Sequence, residues 1–96
     1  MSYRVELTDE ADAQLVRLPE KVQRQIAKKL RLLAADPRSP QTRRLAVHSH
    51  LYRIRSGDYR ILYQIEDDIV LILVVRIALR RDVYEGLPAP QRPRRY

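Results

Sequence analysis

The sequence predicts an α+β domain: a mainly antiparallel four-stranded sheet in the order β-α-α-β-β-β, with two N-terminal helices packed on one face. Three observations predict it. Apolar residues alternate at 3–7, recur at helical spacing over 20–35, and return to a period of two from residue 51, ending in a continuous apolar run. Ninety-six residues, 45% hydrophobic, suit one compact domain over 1–87. The remaining segment, 88–96, holds three prolines and three arginines and reads as a disordered basic tail.

Each element has its own signal. Tyr3, Val5 and Leu7 alternate with Arg4 and Glu6, as in a half-buried strand. Thr8 is placed to cap a helix, with Asp9 and Glu10 in the first turn near the positive end of its dipole. Ala11, Leu15 and Leu18 share one face of this short helix, and Pro19 ends it or hands on to the next. In the second helix Val22, Ile26, Leu30 and Leu33 form an apolar stripe, while Arg24, Lys28 and Arg31 lie off it, as a solvated face. Asp36-Pro37-Arg38-Ser39-Pro40 breaks the helix, because proline lacks the amide donor and restrains the residue before it. A loop through about residue 49 follows, carrying Arg43, Arg44, His48 and His50. Neither histidine has a neighbouring carboxylate or thiolate to complete a metal site, so none is assigned.

The stretch 51–65, LYRIRSGDYRILYQI, is read as a hairpin with Gly57-Asp58 at its turn. A two-residue turn sets Ser56 opposite Tyr59, Arg55 opposite Arg60 and Arg53 opposite Leu62. Arg53, Arg55 and Arg60 then project from one face, and Tyr52, Ile54, Tyr59, Ile61, Tyr63 and Ile65 from the other, towards the helices. A three-residue turn would place Tyr59 opposite Arg55 and scatter the cluster. Opposed like charges cost a sheet roughly 0.2–1 kcal/mol per pair, so three arginines together point to an anionic ligand. Asp67-Asp68 next turns the chain into a buried strand at 69–77. With that turn Arg60 opposes Val75, and Arg76 and Arg80 fall on the opposite face unless the strand bulges or ends before Arg80.

Charge narrows the partner. Nineteen basic residues against twelve acidic ones give +7, and all but three of the basic residues are arginine. Arginine presents a rigid fork that matches phosphate or carboxylate, so a nucleic acid or an acidic protein is expected. Cysteine is absent, which excludes disulfides, thiolate nucleophiles and iron–sulfur clusters. The first residues, MSYRVELTDE, lack the apolar core of a signal peptide, and the longest apolar run, at 69–75, is too short to span a bilayer as a helix. A cytoplasmic protein without membrane contact is expected.

These residues carry a resemblance. LYRIRSGDYRILYQI, the acidic turn, the valine-rich strand, the ALRRDVYEGL stretch and the helix ending LPEKVQRQIAKKLRLLAADP resemble the RelE branch of the RelE/ParE toxins of bacterial toxin–antitoxin systems, over about residues 3–85. The resemblance implies a toxin that cleaves messenger RNA in the ribosomal A site, with no metal and no small-molecule cofactor, and that a cognate antitoxin neutralises. By position it implies catalytic roles for Arg55, Arg60, Arg80 and Tyr84, and RNA contacts for Arg53, Arg55 and Arg81. The implied reaction is attack of a ribose 2′-OH on the adjoining phosphodiester, leaving a 2′,3′-cyclic phosphate and a 5′-OH. Arginine stands at 53 and 55 where that branch is familiar with lysine, and Leu79 stands where many members carry histidine. Two other readings share the fold: a ParE-like inhibitor of DNA gyrase, and a non-catalytic nucleic-acid-binding module.

Overall fold

The structure, a computed structural model, describes residues 2–93. Strand β1 (Arg4–Leu7) leads into helix α1 (Asp9–Val16) and helix α2 (Glu20–Ala35). Four strands follow: β2 (Thr42–Arg44), β3 (Tyr52–Ser56), β4 (Tyr59–Glu66) and β5 (Leu71–Leu79), with a short 3-10 turn at Asp67–Ile69 before the last. The strand order is β1-β5-β4-β3-β2. β1 runs parallel to β5, and all other neighbours are antiparallel.

The sheet is therefore five-stranded, which corrects the expected count of four, and it is mainly antiparallel as expected, with one parallel pair. Two features account for the difference. Residues 42–44 form an edge strand where a loop was expected, with Thr42 buried and Arg43 and Arg44 exposed. Three residues without apolar alternation carry no strand signal, and only pairing with β3 makes them one. The parallel contact of β1 joins the first strand to the last, which periodicity does not address. Its polarity follows from the chain path: the two helices lead from β1 into an oppositely directed β2, and three successive antiparallel pairings then bring β5 round to the direction of β1.

Local chemistry sets the helix boundaries. Thr8 Oγ1 accepts from the Ala11 amide at 3.2 Å, while the Thr8 amide donates to Val74 O at 2.9 Å. One residue thus ends β1 and starts α1. Pro19 stands at the N-cap of α2, and Gln23 Nε2 donates to Leu18 O at 2.9 Å across the joint. Because β1 stops at Leu7, the outer edge of β5 lacks a strand beyond it, and the Ile77 amide donates instead to Gln14 Oε1 on α1 at 2.7 Å.

Both faces of the sheet carry apolar clusters. On the helix side Ala11, Ile26 and Leu33 pack with Ile54, Ile61, Tyr63, Ile72, Val74 and Ile77. On the other side Leu51, Leu62, Leu73, Val75 and Val83 form a smaller cluster. Residues 88–93 lie near this second cluster. There Gln91 and Gln64 exchange two hydrogen bonds, at 2.7 and 3.0 Å, and His50 Nε2 lies 3.1 Å from Pro88 O. Residues 94–96 of the expected tail lie outside the described residues. Among the described residues no helix is long and apolar enough to cross a membrane.

A polar junction ties the far ends together. Arg38 clamps Asp67 at 2.9 and 3.2 Å, and Tyr3 donates to the same carboxylate at 2.8 Å. The Arg38 and Tyr3 bonds hold that carboxyl below its usual range. Val70, just after the 3-10 turn, has φ +52°, a left-handed conformation that a β-branched residue adopts at a cost. Replacing Val70 by glycine should raise the unfolding free energy by about 1 kcal/mol in denaturant titrations. Deep in the helix-side core, the Tyr63 hydroxyl donates to Pro37 O at 2.7 Å, and burial pushes its phenol up to about 12. A phenol raised on folding stabilises the native state below its unfolded value near 10, and that contribution is lost as pH climbs through the folded value. Tyr63→Phe should cost about 1–2 kcal/mol at neutral pH and flatten part of the alkaline loss of stability, as melts across that window will read.

Candidate active site

The hairpin is built as its turn chemistry dictates. Gly57 takes φ +59°, and the register is Arg55 opposite Arg60, Ser56 opposite Tyr59 and Arg53 opposite Leu62. That is the two-residue alternative. It places Arg53, Arg55 and Arg60 on the face away from the helices, since Ile54 and Ile61 lie in the helix-side core.

Arg60 is the centre of the site. Only 5% of it is exposed, and Nη1 donates to Gly57 O at 3.1 Å and Tyr59 O at 3.0 Å, which folds the guanidinium back over the turn. Burial, and then the like charges of Arg55, Arg80 and Arg53, hold its pKa below the ordinary arginine value, while the Tyr84 phenol acts in the opposite sense. Four cations and one phenol therefore share a field. Among the described residues Arg53, Arg55, Arg60 and Arg80 make no ion pair. A crowded group of cations none of which is ion-paired suits the receipt of an anion.

Arg80 reaches this field by a register change. The 3-10 turn makes the β4–β5 connection longer than an Asp67-Asp68 turn, and a bulge between Leu62 and Tyr63 leaves Val75 without a partner. Arg60 consequently opposes Ala78, not Val75, which corrects the expected register. Arg80 shares the parity of Ala78, and its amide donates to Asp58 O at 2.9 Å, so the end of β5 is laid against the hairpin turn. The expectation that Arg80 would join only through a bulge or strand end is met by both.

A cleft of about 570 Å³ opens here, lined by Asp58, Leu79, Arg80, Arg81 and Tyr84. Tyr84 is 43% exposed, although its neighbour Val83 is wholly buried in the second cluster. Arg76 secures this turn: it pairs with Glu10 at 3.0 Å and donates to the carbonyls of Val83, Glu85 and Gly86. Arg76 is thus structural, and sequence reading missed it because its acceptors are main-chain carbonyls that only the fold brings within reach. Arg81 is largely exposed, its guanidinium 4.0 Å from Asp82 at the rim. The two histidines lie elsewhere, their rings edge-on to each other, with His50 lining a separate cavity beside Arg38 and Tyr52. Two arginines expected in a loop, Arg43 and Arg44, lie in β2, which sets Arg43 opposite Arg53 and extends the arginine face by a strand.

Known proteins share this architecture. The sequence family described as the ParE toxin of type II toxin–antitoxin systems matches residues 5–84. An Escherichia coli protein named as a RelE-like toxin is 29% identical over 87 residues, covering 88% of this chain and 92% of that one. The intact Escherichia coli RelBE toxin–antitoxin complex contains a chain that superposes with a TM-score of 0.72 at 28% identity, over 81% of this chain and 96% of that one. The archaeal RelE–RelB complex of Pyrococcus horikoshii gives 0.71 at 27%, over 83% and 97%.

An anion site of this kind should report itself through linkage. Inorganic phosphate at about ten times its dissociation constant should add about 1.4 kcal/mol to the unfolding free energy. Thermal melts at constant ionic strength, with chloride as control, should show that shift in the native protein and not in an Arg55→Ala/Arg60→Ala variant.

Proposed function

This chain belongs to the RelE/ParE toxin family of type II toxin–antitoxin systems, and from that premise we propose that it is a ribosome-dependent endoribonuclease that cleaves messenger RNA in the A site. The observation that carries the reading is the buried Arg60 among Arg53, Arg55, Arg80 and Tyr84, a field of unpaired cations beside an open cleft.

The chemistry asks little of the protein. The nucleophile is the substrate's own 2′-OH, so the site must align it in line with the leaving 5′-oxygen and neutralise the charge that builds on the phosphoryl oxygens. Arg60 is preorganised for the second task, because its hydrogen bonds to Gly57 O and Tyr59 O fix the guanidinium before substrate arrives. Arg55 and Arg80 flank it. Tyr84 offers a half-exposed ring for stacking on a base, with Arg53 and Arg81 on the flanking backbone. An arginine holds its proton too tightly to act as general base. Asp58 supplies the one carboxylate lining the cleft and is assigned as acceptor of the 2′-OH proton. As the O2′–P bond forms the P–O5′ bond breaks, the departing 5′-oxygen takes a proton from water to leave as a 5′-OH, and the ribose retains a 2′,3′-cyclic phosphate. No metal or small-molecule cofactor enters this scheme.

The proposed setting is cytoplasmic, with ribosome and messenger as substrate and a cognate antitoxin as the neutralising partner. The similar toxins of Escherichia coli and Pyrococcus horikoshii are seen with RelB antitoxins. Residues 1–87 act as the toxin domain and 88–96 as an appendage to it.

Arg60→Ala should lower the cleavage rate on programmed ribosomes by about 10²–10³-fold with an unchanged far-ultraviolet spectrum. Primer extension on translated messages will read the cuts. Inhibition of DNA supercoiling by the purified protein, with no cuts within codons, would sink the ribonuclease reading in favour of a gyrase inhibitor.

A further inference from the structure

The arginine face continues beyond the cleft. Arg43 opposes Arg53 across β2 and β3 as Arg55 opposes Arg60 across β3 and β4, so all four positions share one side of the sheet. On the side away from Tyr84 lies a groove of about 290 Å³ lined by Lys29, Pro40, Gln41, Arg43, Arg53 and Arg55. Both added cations are held in place. Arg43 Nη1 donates to Pro40 O at 2.9 Å and Thr42 O at 2.8 Å, which aims the guanidinium and leaves the rest of its fork available. Lys29 Nζ donates to Gln41 Oε1 at 2.7 Å. No carboxylate lines the groove, and among the described residues neither Lys29 nor Arg43 makes an ion pair.

Geometry connects groove and cleft. Arg53 and Arg55 line the groove and also act on the charge of Arg60. From strand spacing and rise, the backbone at Arg43 lies about 12 Å from that at Arg60, with the Arg53 and Arg55 side chains between. A sugar–phosphate chain laid along this line meets a cation at every step.

We propose that Lys29 and Arg43 form a second phosphate subsite, which grips the backbone of single-stranded RNA at a phosphate further along the chain from the one held at Arg60. The inference rests on the ribonuclease reading and adds to it the path of the substrate. An acidic protein segment is the competing occupant. Protein partners draw their affinity from buried apolar anchors, and apart from the proline ring this groove offers none. A nucleic-acid strand binds through backbone charge, which the groove supplies.

The test is the salt dependence of binding to a 2′-O-methylated RNA oligonucleotide, which binds without being cleaved. Arg43→Ala and Lys29→Ala should each reduce the slope of log affinity against log salt by about 0.7, the loss of one single-strand phosphate contact. Arg43→Lys should restore most of it. Arg17→Ala, which removes an exposed cation at the end of α1, should leave the slope as in the native protein. Equal slopes in the native, Arg43→Ala and Lys29→Ala proteins would overturn the subsite. So would an equal loss in Arg17→Ala, or a loss in Arg43→Ala confined to polyglutamate binding. An Arg43-dependent slope in a protein that cuts no unmodified message would uphold the subsite and remove the ribonuclease reading. Cutting with an Arg43-independent slope would do the reverse.

Discussion

One extra residue in β5 governs how this sheet divides its labour. Between Leu62 and Tyr63 the partner strand slips by one, and Val75 takes no partner. Before the slip Ile72 and Val74 face the helices; after it Ile77 does, so β5 changes parity without leaving the core. Val75 joins Leu62 and Leu73 in the opposite cluster, and Ala78 comes to rest across from Arg60. A bulge also increases local twist and bends its strand. Without that slip Arg80 would keep the parity of the helix side and the cation field would lose one of its four members.

The cluster itself is a local conflict that the fold tolerates. Arg55 and Arg60 oppose each other on neighbouring strands, and Arg60 is almost wholly withdrawn from water. Both terms work against the free protein. The surrounding sheet overrides them, because β4 is buried along most of its length and pairs on both sides. Repulsion among cations of this kind is relieved by an anion, which is the physical basis for reading the cluster as an anion site.

A second division separates arginines that build from arginines that wait. Arg38 clamps Asp67 and Arg76 pairs with Glu10 while gathering three carbonyls, so both are spent on holding loops to the sheet. Arg53, Arg55, Arg60 and Arg80 have no such carboxylate partners among the described residues. Composition counts all sixteen alike, and only the contacts sort them. Tyr84 depends on that sorting, since Arg76 and the buried Val83 fix the turn that presents its ring.

Periodicity and turn chemistry by themselves determined the two helices, the Thr8 cap, the break at Asp36-Pro37 and the hairpin about Gly57. They placed Arg53, Arg55 and Arg60 on one face only on condition of a two-residue turn, since side chains alternate strictly, and the pairing of Arg55 with Arg60 met that condition. These are short-range rules, and a sequence obeys them residue by residue. Tertiary structure alone decided the parallel pairing of β1 with β5, the three-residue strand that carries Arg43, the slip at Val75 and the arrival of Arg80 beside Asp58. Each of these depends on hydrogen bonds between segments far apart in the chain, and such pairings leave no periodic trace in either partner.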